Sequence, residues 1–340
     1  MTPPPASHPF LGAVARIQPA LELVEQAMRE QLGSTSQLMG GIGEHVLDAG
    51  GKRIRPALLL LVAEMCGYTG PRRFQTGAAI ELLHTATLLH DDVVDLSGLR
   101  RGQPSANAIW GNRHAVLGGD FLYARASSMI VEDGDSDILW IFADCIRSMA
   151  EGELLQLERS FDAAVTESHY FAVIERKSAV LLSVATEVGA ILGGVTRGER
   201  RKLRDFGREL GLAFQLRDDA LDYDQYDETL GKRRYADLHE GKITLPLLLA
   251  LKRCTPAERE AVGAMLKSAG QNANLGEASG DGVDLSPALE AVERYRGVVD
   301  TMRRAEQHMT RACVAIAPFS ESRAKQDLLA AAHFAVGRDR

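Results

Sequence analysis

The chain has 340 residues, 45% of them hydrophobic and 25% charged, with a formal net charge of −7. This is the balance of a globular protein rather than a disordered or membrane-spanning one. A pI near 5.8 leaves no basic footprint for nucleic acid, although a local cation cluster could still receive an anionic ligand.

From the N-terminus, "MTPPPASHPF" lacks the basic-then-apolar order of a signal peptide and reads as a flexible tail over residues 1–10. Apolar residues then recur at three- and four-residue spacing through 12–32, 56–66, 74–95, 114–131, 137–158, 168–192, 199–226 and 243–253. They continue through 256–269, 287–317 and 321–336, and prolines fall at helix starts or in links. Strand alternation is absent. The Gly-, Asn- and Ser-rich stretch at 270–286 predicts a flexible surface loop. The longest apolar run, "ALLLLVA" at 57–63, is too short to span a bilayer. Cysteines at 66, 145, 254 and 313 have neither CxxC nor metal-ligand spacing, as in a reduced, cytoplasmic protein. With no repeat and no linker, the expectation is one all-α domain over 11–340, a helical bundle.

Two of the predicted helices end in the same acidic pattern. In "LLHDDVVDLSGLRRG", Asp91 and Asp95 lie one turn apart on one helix face, with Asp92 beside them. In "AFQLRDDALDYDQY", Asp218, Asp219 and Asp222 repeat the spacing. One DDxxD alone is weak, since solvated acids often end a helix. Two of them after apolar helices, facing one cavity, would repel prohibitively without divalent cations and a polyanion. Hard carboxylate oxygens suit Mg²⁺, which a few carboxylates and substrate phosphates complete.

Cations cluster near these acids. "GGKRIRPAL" carries Lys52, Arg53 and Arg55 ahead of a helix-starting proline, a pattern suited to phosphate oxygens. Arg100 and Arg101 follow the first acidic motif, and Lys232 and Lys242 follow the second; "ERKSAVLL" supplies Lys177 and Ser178. Each cluster alone could be an ordinary solvated loop. Together they suit a metal–diphosphate substrate and a second anionic one.

GGKRIRP, both DDxxD motifs, "LRRG", Lys177-Ser178 and "GKITLP" resemble, in order, the motifs of the all-trans isoprenyl diphosphate synthases. The resemblance runs from about residue 12 to the ending "AAAHFAVGRDR" and looks closest to bacterial octaprenyl- and decaprenyl-type long-chain synthases. It implies a bundle around a central cavity that condenses an allylic diphosphate, such as geranyl or farnesyl diphosphate, with successive isopentenyl diphosphates. By resemblance, Asp91, Asp95, Asp218 and Asp222 ligate Mg²⁺, about three ions per site with Mn²⁺ as a substitute, and Asp92 and Asp219 support them. Arg100, Lys177, Ser178, Gln215 and Lys232 hold the allylic diphosphate. Lys52, Arg55, His84 and Arg101 hold isopentenyl diphosphate, and Lys242 adds charge at the metal–diphosphate cluster. His84 lies two turns before Asp91 on the same side, although a histidine on an apolar helix is often only a core residue. Ser178 stands where the family usually has threonine, and "RRYAD" with Arg233 and Arg234 replaces a stretch that usually holds proline and glycine.

The apolar helix before Asp91 then lines a tunnel for the growing chain. Short-chain relatives carry a bulky aromatic four or five residues before the motif; Ala86 and Thr87 are small, which points to a product of about C40 to C50. Leu82, Leu83, Phe121, Leu122, Tyr123 and Met129 are candidate deeper stops, unless they are ordinary core. The family also implies a homodimer, and transient membrane contact at product release. A short-chain (C15–C20) synthase and a non-catalytic subunit of a heteromeric synthase are the alternatives. Metal-dependent terpene cyclases share DDxxD but lack GGKRIRP, and non-catalytic subunits usually lose one acidic motif. A ubiquinone side-chain pathway is the expected destination.

Overall fold

Apolar spacing of three and four residues buries one stripe of a helix, and nearly every stretch so patterned is helical in the computed structural model. The structure describes residues 8–33, 37–224, 235–274 and 283–337. Pro9 and Pro19 sit in the first turns of α1 (Pro9–Arg16) and α2 (Gln18–Glu30), where an N–H has no helical partner to lose. The predicted 12–32 helix is thus two, divided at Ile17. α3 (Gln37–Asp48) has no predicted counterpart: glycines in "QLMGGIGEHVLD" dilute its apolar stripe, yet Ile42 and Leu47 are buried. α4 (Ile54–Met65) and α5 (Arg72–Val94) follow.

A hairpin of two-residue strands, β1 (Leu99–Arg100) and β2 (Gln103–Pro104), corrects the expectation of no strand. Its turn residues Arg101 and Gly102 have φ of 53° and 75°, the positive values that a two-residue hairpin loop favours. Beyond it come α6 (Ala106–Trp110), α7 (Asn112–Asp133) and α8 (Ser136–Glu158). The predicted 168–192 helix is α9 (Glu167–Ile174), a π-helical turn at Glu175–Ala179, and α10 (Val180–Leu192). α11 (Arg197–Asp224) is followed by α12 (Ala236–His239) and α13 (Leu245–Leu251). α14 (Pro256–Asn274) carries helix five residues into the segment expected as a loop; residues 275–282 lie outside the described residues. α15 (Ser286–Arg294) and α16 (Gly297–Ile316) divide the predicted 287–317 helix where Arg296 turns left-handed, φ 57°. α17 (Arg323–Gly337) ends the described chain.

Two buried clusters fill the bundle. The larger draws on α1, α2, α4, α5, α7, α8, α10 and α17; the smaller on α9, α13, α14 and α15. α11 belongs to both: Leu203, Phe206 and Leu210 face the first, Leu212 and Leu216 the second. α5 and α11 are thereby fixed through their lengths by apolar packing, and each delivers an acidic motif at its C-terminal end. Among the described residues, no helix is long and apolar enough to cross a membrane.

Candidate active site

The buried stripe of α5, including Ile80, Leu83, Ala86 and Leu89, runs into Asp91 and Asp92. Leu96 stops the helix with φ 52°, and the Ser97 N–H caps it on the Asp92 carbonyl at 2.9 Å. Burial pushes Asp91 up to about 6, aided by Glu153 and Asp95 and opposed by Lys177. Asp92 is 2% exposed and receives Arg100 through Nε at 2.7 Å and Nη2 at 2.6 Å. Arg100, expected on the allylic diphosphate, gives two of its three guanidinium nitrogens to Asp92. A buried carboxylate needs that partner, and the supporting role expected of Asp92 has a physical basis.

At the end of α11, Asp218 is exposed and Asp219 buried. Gln215 Nε2 donates to Asp219 Oδ1 at 2.8 Å, and the Tyr170 hydroxyl donates to Oδ2. Burial pushes Asp219 up to about 7; the Tyr170 and Gln215 bonds oppose this, and the Asp218 and Asp222 charges add to it. Asp222 caps α12, accepting the N–H groups of Ala236 at 3.0 Å and Asp237 at 3.2 Å.

Lys242 bonds to the first motif and lines the cavity beside Asp219 of the second. Its Nζ donates to Asp95 Oδ2 at 3.1 Å and Glu240 Oε2 at 2.5 Å, and these acids with Asp237 outweigh burial and raise its pKa. Across the site, Lys177 pairs with Glu153 at 2.5 Å, and Ser178 Oγ donates to Gln215 Oε1 at 2.6 Å. Both belong to the π-helical turn, a distortion frequent at functional sites. That turn is wedged between two glycines. A Cβ on Gly152 would lie 2.9 Å from the Lys177 nitrogen, and one on Gly211 would lie 2.6 Å from the Ala179 Cα. A cavity of about 150 Å³ opens here, lined by Tyr170, Lys177, Ser178, Gln215, Asp219 and Lys242 among others.

Among the described residues, no three acidic, histidine or cysteine side chains converge to hold a metal by themselves. The donors are nonetheless hard oxygens at two helix ends, and an ammonium already bridges to one of them. This fits a divalent ion held by one or two carboxylates and completed by phosphate oxygens.

A cation-rich second site adjoins α5. Arg55 keeps a buried Nε without a hydrogen-bond partner, a donor left over for an anion. His84 is pushed well down by burial and by Arg55 and Arg101, so it stays neutral. Arg53 is committed to structure: its guanidinium donates to Glu25 at 3.0 Å, Glu81 at 3.4 Å and the Leu47 carbonyl at 3.1 Å. Gly51 lies against the Arg101 guanidinium, where a Cβ would come within 2.9 Å of Nη1, so the Lys52 loop and the hairpin meet.

The chain-length residues divide. Leu82, Leu83, Ala86, Leu122 and Met129 are buried in the larger core, with Phe121 partly buried against it. Thr87 donates to the His84 carbonyl at 2.8 Å. Tyr123 stands 39% exposed on α7. The cavity at Asp219 is not lined by Ala86, Thr87, Leu83 or Phe121. Lys232, Arg233 and Arg234 lie outside the described residues.

Four site residues escape the sequence reading: Glu81, Glu153, Tyr170 and Asp237. Glu153 carries a usable signal, a glycine beside an acid in the middle of an apolar helix. Tyr170 carries none, since its partner Asp219 is 49 residues away.

An all-helical bundle with two opposed acidic helix ends, ringed by lysine and arginine, has the architecture of the isoprenoid synthases. The chain belongs to the polyprenyl synthetase family, whose sequence model matches residues 36–278. It is 41% identical over 317 residues to the octaprenyl diphosphate synthase of Escherichia coli K12, covering 93% of this chain and 95% of that protein. A solved polyprenyl synthase from Caulobacter crescentus CB15, complexed with calcium and isoprenyl diphosphate, superposes with TM-score 0.89 at 38% identity, over 99% of this chain and 100% of that one. A decaprenyl diphosphate synthase from Rhodobacter capsulatus gives TM-score 0.89 at 34% identity, over 97% and 99%.

Proposed function

We propose that this protein is a long-chain trans-prenyltransferase that extends an allylic diphosphate with isopentenyl diphosphates to about C40–C50. The observation that carries this reading is the convergence of two sequence-distant acidic helix ends on Lys242 and the Lys177–Ser178 turn, beside a second, separate cation cluster. Two diphosphates have two receptors, at the end of a bundle whose interior is apolar. The long-chain relatives support the product length.

Asp91, Asp95, Asp218 and Asp222 would hold Mg²⁺, about three ions with the substrate, and such ions supply positive charge to a departing diphosphate. Lys177, Ser178, Gln215 and Lys242 bind that diphosphate, with Lys232 and Arg100 completing its shell. Its C–O bond breaks, the electron pair leaves with oxygen, and an allylic cation remains. Lys177 and Lys242 stabilise the charge that develops on the leaving group. Lys52, Arg55, Arg101 and neutral His84 hold the second diphosphate so that its double bond attacks the cation. A proton is then lost to the released diphosphate, and one five-carbon unit has been added. The apolar stripe of α5 keeps water from the cation. Incubation with labelled isopentenyl diphosphate tests this: incorporation requires both an allylic primer and divalent metal, and incorporation that survives chelation refutes it.

Residues 11–340 act as one domain. The working form is a homodimer. Val116, Leu117, Tyr123 and Val131 on α7, with Leu139 and Trp140 on α8, are large apolar side chains left exposed, as on an interface face. Leu117→Lys with Val131→Lys should yield monomers in sedimentation; an unchanged species refutes this face. Four unpaired cysteines support a reducing, cytoplasmic setting. Membrane contact arises at product release, and a quinone side chain is the destination.

A further inference from the structure

Lys52 follows Gly50 and Gly51 in the loop before α4 and is exposed. A lysine in such a loop has a flexible four-carbon stem and loses rotamer freedom whenever it grips a ligand. Here its ammonium lies over the face of Phe334, 5.0 Å from the ring centroid. Phe334 is on α17, the last helix, 282 positions further along the chain. This is cation–π geometry.

The ring cannot turn away. Phe334 is 5% exposed and is gripped from three sides. Phe10 packs against it at 5.2 Å between centroids, His8 meets it edge-on at 5.1 Å, and Phe214 of α11 meets it at 6.4 Å. His8 is itself fixed, because its Nδ1 accepts the Phe10 N–H at 3.2 Å. Burial and the nearby His333 push His8 down, which favours its neutral form beside the ring. The α17–α1 contact therefore does more than close the fold.

We propose that Phe334 is a positioning residue for the isopentenyl diphosphate site: its ring fixes the Lys52 ammonium, one residue from the Gly51–Arg101 contact, and removes much of the ordering cost of binding. The proposal rests on the assignment of Lys52 to that diphosphate. It makes the C-terminal helix part of the second-substrate site and leaves the allylic site alone, since Lys177, Ser178 and Lys242 are on other elements.

The test is steady-state kinetics on the full chain, varying each substrate with the other saturating. Phe334→Leu should raise KM for isopentenyl diphosphate about threefold to tenfold, the range of a partly desolvated cation–π contact. KM for the allylic primer and kcat should stay within about twofold, and Phe334→Tyr should behave as wild type. Phe334→Leu should add nothing in a Lys52→Met background. Should leucine fail to fold, ring-fluorinated phenylalanine at 334 keeps the shape and weakens the π face, and KM should climb with fluorine number. Equal rises in both KM values, no response to fluorination, or additive effects in the double variant overturn the inference. If Lys52→Met leaves KM for isopentenyl diphosphate unchanged, the Lys52 assignment fails, and the inference with it. If Lys52→Met raises it and Phe334→Leu does not, only the inference fails.

Discussion

Asp91→Asn should stabilise the metal-free protein while disabling it. Burial raises the Asp91 pKa from 3.8 to about 6 despite the Lys177 charge nearby. The folded state therefore keeps the proton where the unfolded chain has already lost it. Below pH 4 ionisation costs nothing. The penalty grows as pH rises from about 4 to 6 and is complete above that. A shift of about two units corresponds to about 3 kcal/mol at 1.36 kcal/mol per unit, an upper figure because Asp91 is not fully enclosed. Asparagine is isosteric and neutral and escapes the penalty. With about 2.1 cal/mol/K of unfolding entropy per residue, 3 kcal/mol on a chain of this length raises Tm by about 4 °C. Thermal melts with a chelator, wild type against variant from pH 4 to 8, read this directly. The gap should be near zero at pH 4, open by pH 6 and stay flat thereafter. The variant should also lose about 10²-fold or more in kcat, as a site does when a charged group essential to the transition state is removed. A variant that melts no higher than wild type at pH 7.5, or a gap independent of pH, refutes the placement of Asp91 in a desolvated pocket.

Three further outcomes follow from the geometry. Gly152→Ala puts a Cβ 2.9 Å from the Lys177 nitrogen, so the π-helical turn must shift. It should cost about 1–3 kcal/mol in denaturant unfolding and raise KM for the allylic substrate more than for isopentenyl diphosphate; an equal effect on both contradicts the turn's role. Lys242→Met removes the cation shared by Asp95 and Glu240; kcat should fall about 10- to 100-fold, and activity within twofold of wild type would count against Lys242 in the charge cluster. Ala86→Phe should shorten the product to about C15–C20 at a packing cost of about 1–3 kcal/mol; a folded variant still making the full-length chain removes Ala86 from the tunnel.

Much of this site is written locally. The periods of α5 and α11 are strong because long apolar faces demand them, and the acidic motifs stand out where those faces stop. GGKRIRP and the Lys177–Ser178 pair are legible for the same reason: their chemistry is packed into consecutive residues. What escapes is made by tertiary approach. Tyr170 reaches Asp219 only because α9 and α11 share the smaller apolar cluster. Glu153 meets Lys177 only because Gly152 lets α8 press on the π-helical turn. Arg100 reads as a ligand residue from its position; its pairing with the buried Asp92 is made by the fold. The β1–β2 hairpin has two residues per strand, too few for alternation to register, and the glycines of α3 hide its stripe. Tyr123 and Phe121 are two positions apart on α7, which places them on different faces of the helix; spacing alone does not say which face the bundle covers.

The most direct test of the central claim is the length of the product. Purified protein with Mg²⁺, farnesyl diphosphate and excess isopentenyl diphosphate should give a ladder of all-trans chains ending near C40–C50 by mass spectrometry. A ladder that stops at C15–C20 would contradict the long-chain assignment, and no incorporation by folded, metal-loaded protein would contradict the enzyme itself.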